Sequence, residues 1–361
     1  MKSGNMSGII QPKSNNQMNS IKSKFILQKI FYNLLYNKKL NIMKYNKNMQ
    51  KRMELTLKDY KEYSSIEIYI KPVINKYGNF INIKKGDEKY YHIYFNNSKE
   101  EIKKYFINKN EKIDTIKIMI DLHINSLKEL FLNCECIESI CFKNFNRENI
   151  NDMGGMFCGC SSVKEINFNS FNSINVKDMS YMFYGCSSLN ALNLNNVKAD
   201  NVKDMSYMFG ECSSLIGLNL DNFNTNNVMD MSYMFYKCSS LKVLNLNNFN
   251  TKNVQKMNYM FAKCSTLVEL YLDNFNTNNV NNMDHMFFEC KSLEELNLDS
   301  FNTKKVTDMR MMFCFCHNLK ELKLKNFNNK KVKKLDLMFY CCQKVQDKIK
   351  TRYPNVKLQI Y

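Results

Sequence analysis

The chain has 361 residues, 44% of them hydrophobic, with 14 Cys, 3 Pro and a formal net charge of +18. That is enough apolar material for a long core, but no apolar run is long enough to span a bilayer. The charge is uneven, since residues 1–53 hold eleven Lys or Arg and no acid. Asn and Lys are abundant, which reads as compositional bias rather than design.

Residues 1–20 are rich in Asn, Ser and Lys and read as a disordered tail. They show no apolar h-region and no small-residue cleavage site, so no signal peptide is expected. Residues 21–63 read as helical. Ile21, Phe25, Ile30, Leu34 and Leu35 recur at helical spacing, and further helices are predicted over Lys39 to Lys51 and Leu55 to Tyr63. The apolar stretch from Ile21 to Leu35 is broken by Lys22, Lys24, Gln28, Lys29 and Asn33, too polar for a membrane span.

Residues 64–125 read as a small α+β module that caps the repeats beyond it. Ile66, Ile68 and Ile70 alternate with Glu67 and Tyr69, and Tyr90 to Phe95 and Ile116 to Ile120 look similar. Between them, Ser98 to Phe106 reads as a helix, with Ser98 and Glu101 at capping-box spacing.

From 126 to 342 the chain repeats every 26 residues without a slip. Cys134, Cys160, Cys186, Cys212, Cys238, Cys264, Cys290, Cys316 and Cys342 each follow a Phe by three positions, among them Phe183, Phe209, Phe235, Phe261 and Phe287. A fixed period of this size is the mark of a stacked solenoid, here of nine coils. The nine equivalent Cys should point into a shared core, where a reduced thiol packs as a small hydrophobe; this implies a reducing compartment.

One copy, residues 227–252, divides by period. Leu241, Leu244 and Leu246 suit a short strand. Met231, Met234 and Phe235 fall on one face of a helical turn, with Asp230 capping it and Asp178, Asp204 and Asp308 in the same slot. Stacked strands lie about 4.8 Å apart as a parallel sheet. Inside run columns of Leu, Phe, Met, Cys and Val (Val176, Val202, Val228, Val254, Val280, Val306, Val332). The first copy is degenerate, as a terminal repeat tends to be. Residues 343–361 break the pattern and read as a C-terminal cap, with Val345, Ile349 and Tyr353 in a closing helix and Val356 to Ile360 in a strand.

The LxxLxL core and the NVxDMSYMFxxCSSL segment resemble the BspA-like branch of the leucine-rich repeats, the 26-residue surface-protein or mycoplasma lipoprotein-associated repeat. The resemblance implies an α/β repeat fold, a right-handed leucine-rich-repeat solenoid with one parallel sheet on its concave face and short helical turns. It implies binding rather than catalysis. Bacterial members are usually secreted adhesins, so a surface adhesin is one alternative; with no signal peptide or anchor found, a cytoplasmic protein is expected. Residues 22–62 carry the ILxxIFxxL rhythm of an F-box, which makes a substrate adaptor of a ubiquitin ligase a second alternative. The usual Leu-Pro start is missing and the chain has no Trp, so a plain helical cap competes with that reading.

No enzyme chemistry emerges. His92, His123, His285 and His317 form no arrangement with a Cys and a carboxylate at catalytic spacing, and His285 reads as drift in a slot held elsewhere by Tyr. Cys314, Cys316 and His317 lack the usual zinc-ligand spacing, as do Cys134, Cys136 and Cys141 and the pair Cys158 and Cys160. No glycine-rich phosphate loop is present. No catalytic residue, metal or cofactor is therefore assigned, and no small-molecule substrate is expected. The basic groups Lys22, Lys24, Lys29, Lys38, Lys39, Lys44, Lys47, Lys51 and Arg52 read as a solvated helical face, not a nucleic-acid site. The aromatics beside them (Phe25, Phe31, Tyr32, Tyr36) fall mostly on the apolar helical side rather than interleaving for base stacking.

The outward strand positions vary most along the stack. Glu269, Glu295 and Glu321 share one column, Tyr271 and Asn297 the next, and Asp273 and Asp299 a third. They form an acidic patch around Tyr271, the candidate protein-binding face for a basic protein or peptide. The competing reading is solubility and the blocking of sheet stacking. The function expected is rigid display by a non-catalytic interaction scaffold, whose preformed surface loses little entropy on binding.

Overall fold

The computed structural model describes residues 21–352, except 35, 146, 169–170 and 329. The expected tail at 1–20, Tyr353 and the expected strand at 356–360 lie outside the described residues. The chain divides into two compact units, one ending at Ser65 and the other beginning at Ile66.

The first unit is helical: α1 (Lys24–Asn33), α2 (Tyr36–Tyr45), α3 (Lys47–Met53) and α4 (Leu57–Ser64). Ser23 caps α1 by accepting from the Ile26 amide at 3.3 Å. The helix expected over Lys39 to Lys51 is broken at Asn46, whose side chain accepts from the Met49 amide at 3.0 Å and starts α3. A capping box between Thr56 and Asp59, missed in the sequence, opens α4. Leu27, Phe31, Met43, Met49 and Met53 form the small core of this unit. Phe25 is not part of it. It is 73% exposed, because Leu27 and Phe31, four residues apart, take the inward face of α1.

The second unit starts with β1 (Ile66–Pro72), β2 (Gly78–Asn79), β3 (Tyr91–Phe95), β4 (Phe106–Ile107), β5 (Ile116–Ile120) and β6 (Ile137–Asn144). The expected helix over Ser98 to Phe106 does not form. The Ser98 hydroxyl instead accepts from the Glu100 amide at 3.0 Å, a local turn, and the Ile102 amide donates to Ile93 O at 2.8 Å, which keeps the segment extended along β3. With a single 3-10 turn at Glu88–Tyr90, the capping region is a β structure rather than α+β. Its sheet runs β3-β5-β1-β6-β7, where β7 is Glu165–Asn167. Strand β6 is antiparallel to β1 and parallel to β7. The degenerate first repeat is therefore the point where cap sheet becomes solenoid. Arg147 locks this junction: it is 3% exposed, and its guanidinium donates to the carbonyls of Ile120, Asp121, Leu122 and Ile124.

The repeats continue with three-residue strands β8 (Ala191–Asn193), β9 (Gly217–Asn219), β10 (Val243–Asn245), β11 (Glu269–Tyr271), β12 (Glu295–Asn297) and β13 (Glu321–Lys323), closed by α5 (Gln343–Arg352). The strands stack in parallel, but their ladder is hydrogen-bonded in pairs, β8–β9, β10–β11 and β12–β13.

The unbroken ladder is on the other side of each coil. Eight parallel bridges link Ser126, Asp152, Asp178, Asp204, Asp230, Lys256, Asn282, Asp308 and Lys334 in succession. From there the backbone alternates. The amides of Met205, Tyr207, Phe209 and Glu211 donate to Asp230, Ser232, Met234 and Tyr236 one coil on, whereas Met208, Gly210 and Cys212 donate three residues back within their own coil. Met231, Met234 and Phe235 are buried together, but on a run of turns rather than a helical turn. Two residues per coil, four apart, are left-handed, as at Tyr233 and Lys237, both with φ of 57°. Asp230 caps no helix; its side chain accepts from the Ser232 amide two residues on at 2.9 Å.

The nine Cys form one interior row, each 0% exposed. All fourteen cysteines are free. Each thiol from Cys160 onward donates to the carbonyl of the Phe 29 residues earlier, as Cys238 Sγ does to Phe209 O at 3.1 Å. The Phe rings stack coil on coil, with Phe209 and Phe235 centroids 5.4 Å apart. Each fully buried Phe or Leu contributes roughly 1.5–3 kcal/mol.

Polar columns also cross between coils. Buried Thr225, Thr251, Thr277 and Thr303 donate to the carbonyls of Asn250, Asn276, Asn302 and Asn328. Asn201, Asn227, Asn253 and Asn279 each donate from Nδ2 to a carbonyl 27 residues back. The abundant Asn is thus a structural device as well as a compositional trait.

Candidate functional site

Three-residue strands alternate out–in–out, so Leu244, Leu270 and Leu296 turn inward while their neighbours face solvent. In β11, β12 and β13 the outward residues bring acids together. Strand pairing sets Glu295 directly beside Glu321. A depression of about 430 Å³ is lined by Glu269, Tyr271, Asp273, Glu295, Asn297 and Glu321, together with Val268, Glu294 and Lys323. Six of the seven residues expected from the sequence converge there, and Asp299 lies beyond the lining. Asp299 is engaged in the stack, where its Oδ1 accepts from the Lys325 amide at 2.8 Å.

Not all these acids are equally free. The Tyr271 hydroxyl donates to Glu269 at 2.6 Å, and that carboxylate holds the phenol above its usual pKa. Asn297 Nδ2 donates to Asp273 at 2.9 Å. Lys320 pairs with Glu294 at 2.7 Å, and its hydrogen bond keeps that carboxyl below the usual range. Lys348 lies 3.7 Å from Glu321. Glu295 is exposed at the centre of the column, and among the described residues no cation neutralises it. Val268 and Glu294 were missed in the sequence, whereas Lys323 shares the outward column of Tyr271 and Asn297. Val268 and Glu294 occupy the slot just before each strand, whose signal is the column Ile216, Lys242, Val268, Glu294, Lys320.

The strand face has a second depression of about 540 Å³ with Ala191 and Gly217 on its floor. The opposite face carries aromatics. Tyr181, Tyr207, Tyr233 and Tyr259 stack in one column at 4.2–4.4 Å, and His285 continues it 4.3 Å from Tyr259. His285 therefore keeps the aromatic role of its slot, and its Nδ1 lies 2.7 Å from Asp284.

The thiols expected to be structural are held neutral by burial, except that a hydrogen bond with Cys316 draws Cys342 downward. Burial pushes Cys212 and Cys264 up to about 12, and Cys186, Cys238 and Cys290 well above their ordinary value. A thiol so shifted is a poor nucleophile and a poor metal ligand at neutral pH. Among the described residues no three His, Cys, Asp or Glu side chains come together as a metal site. Nor is any helix among them long and apolar enough to cross a membrane.

No curated protein matches the chain. Solved structures that match include the crystal structure of a TLR13–ssRNA13 complex, at 16% identity and a TM-score of 0.27. That match covers 54% of this chain, which spans 32% of the other. The family model described as "Mycoplasma protein of unknown function, DUF285" matches residues 125–244 and 234–352, the whole of the repeat region and the C-terminal helix α5. With well over half of its length accounted for by that model, the chain belongs to the DUF285 family.

Proposed function

We propose that the chain is a non-catalytic protein-interaction scaffold that docks a partner on its strand face. The observation that carries this reading is the acidic depression across β11–β13, in which the exposed Glu269 and Glu295 and the half-buried Glu321 stand in one column on an otherwise basic protein. The backbone under them is fixed by the core, so binding there costs little ordering entropy. Within the family, the 26-residue period and the CSSL segments support the BspA-like branch, and fourteen free thiols support a reducing, intracellular setting. The test is photo-crosslinking from position 271 of the full chain in native extract. Capture that disappears on reversing Glu269, Glu295 and Glu321 to Lys, with circular dichroism unchanged, supports docking here. Capture that survives the triple reversal overturns it.

A second reading concerns the helical unit. Phe25 and Ile26 are 73% and 50% exposed on α1, apolar groups left outside a unit that has its own core. Together with the F-box-like rhythm, this supports a docking segment for a ubiquitin-ligase adaptor. Recovery of ligase components by the full chain, lost on Phe25→Asp with Ile26→Asp, is the expected result; equal recovery by the variant rejects it.

A further inference from the structure

The strand face is divided along its length. Around β8 and β9 one outward position holds Ala191 and Gly217, so the middle of that depression carries little side chain, while Asn193 and Asn219 hold the other. A Cβ added at Gly217 would touch nothing closer than the Ala191 methyl at 3.6 Å, so the space above it is open. Its lining mixes the apolar Leu192 and Leu218 with Glu165, Asn167, Asn193 and Asn219; near it Ile216 is 66% exposed and, one coil on, Val243 is 51% exposed. Single exposed aliphatics need no explanation, but two near a hollow centred on a methyl and a bare Cα make a receptor for a small apolar group. Farther along lies the acidic depression, lined by five carboxylates and one ammonium. The rest of the chain is basic overall, with a formal net charge of +18, so a cationic segment is repelled elsewhere and drawn here.

Building on the docking function above, we propose that the partner is a protein segment with an apolar anchor in the Ala191–Gly217 hollow and a pair of Arg or Lys side chains at Glu295. The stack sets the spacing. Gly217 and Glu295 are three coils apart, which is ~14 Å at the usual strand separation. An extended peptide covers that in about four residues. The segment therefore runs along the stack, across the strands, and reads two points of one column rather than pairing with an edge. Arg suits the acidic end best, since its planar fork can bind two carboxylates in register.

The test uses the full chain and a fluorescein-labelled peptide, Leu-Ser-Gly-Ser-Arg-Arg, followed by fluorescence polarisation at low salt. Saturable binding is expected, with Glu295→Lys weakening it about tenfold. Gly217→Leu, which fills the hollow, should weaken the same peptide severalfold and leave a peptide with Ser in place of Leu unaffected. Placing Arg-Arg directly after Leu should weaken binding. Binding indifferent to spacing and to Gly217→Leu, or no binding, overturns the two-point partner. Crosslinking from position 271 separates this from the broader reading. Native partners captured there through neutral or acidic segments overturn the basic anchor alone, whereas no capture on the strand face overturns both.

Discussion

The two long sides of each coil are built from the same 26 residues and behave in opposite ways. On the turn side, Met, Phe, Cys and the slot held by Tyr recur with little change, and the backbone ladder is continuous from Ser126 to Lys334. On the strand side, the ladder is broken into pairs, and the outward slot changes from Ala191 and Gly217 through Val243 to Glu269, Glu295 and Glu321. Registry and dryness are concentrated on one side, which leaves the other free to vary without endangering the fold. Cohesion and recognition are thus separated onto opposite surfaces.

The sharpest way to break the comparison is alkali. Of the nine thiols in the row all but Cys342 have folded pKa values above their unfolded ones, up to about 12 at Cys212 and Cys264. The unfolded chain loses those protons first, so this stability is complete below the unfolded thiol pKa and is lost as pH rises above it. Each such thiol costs about 1.4 kcal/mol per pH unit above roughly 8.5. With eight of them buried in one row, circular dichroism should show cooperative unfolding before the folded values are reached. A melting temperature unchanged from pH 8 to pH 11 would contradict the dry row.

Next in size is Phe235→Ala, which opens a cavity in a central stack and should cost about 3–5 kcal/mol in urea unfolding. Because coils interact only with neighbours, the loss should also loosen the coils on either side, visible as faster amide exchange in both. Thr277→Val is smaller. It removes the hydroxyl that donates to Asn302 O and accepts from the Asn302 amide, so about 1–3 kcal/mol should go. At the other extreme, Glu295→Lys on the strand side should shift stability by no more than about 0.5 kcal/mol. If it destabilises as much as Thr277→Val, the separation of roles is wrong.

The apolar columns are legible in the sequence because they depend on identity at a fixed interval. A Cys every 26 residues can only stack on itself in an insertion-free coil, and the Met and Phe positions follow. The acidic patch is legible for the same reason, since in–out alternation around Leu270 and Leu296 dictates which acids face out. What escapes depends on partners far along the chain. Thr277 and Asn279 look like ordinary surface residues, and only stacking shows that each reaches a carbonyl in a neighbouring coil. The left-handed residues are hidden because Tyr233 and Lys237 are not the Gly that such positions usually announce. Ser98 misleads for the opposite reason: a local pattern that suits a helix is overridden by pairing of Ile102 with β3. Arg147 carries no local signal, since its four acceptors are more than twenty residues away.

The thiol bond back to the previous coil gives the stack a direction. Each repeat brings the donor its predecessor needs and offers the acceptor its successor will use, so every internal junction is equivalent. Excising residues 227–252, or copying them in tandem, would rejoin identical seams. Length is then an adjustable quantity: one copy more or fewer would move the hollow at Gly217 and the acids at Glu295 about 4.8 Å apart or together. A lineage that gains and loses such units can retune which ligands span its surface without redesigning a single contact inside.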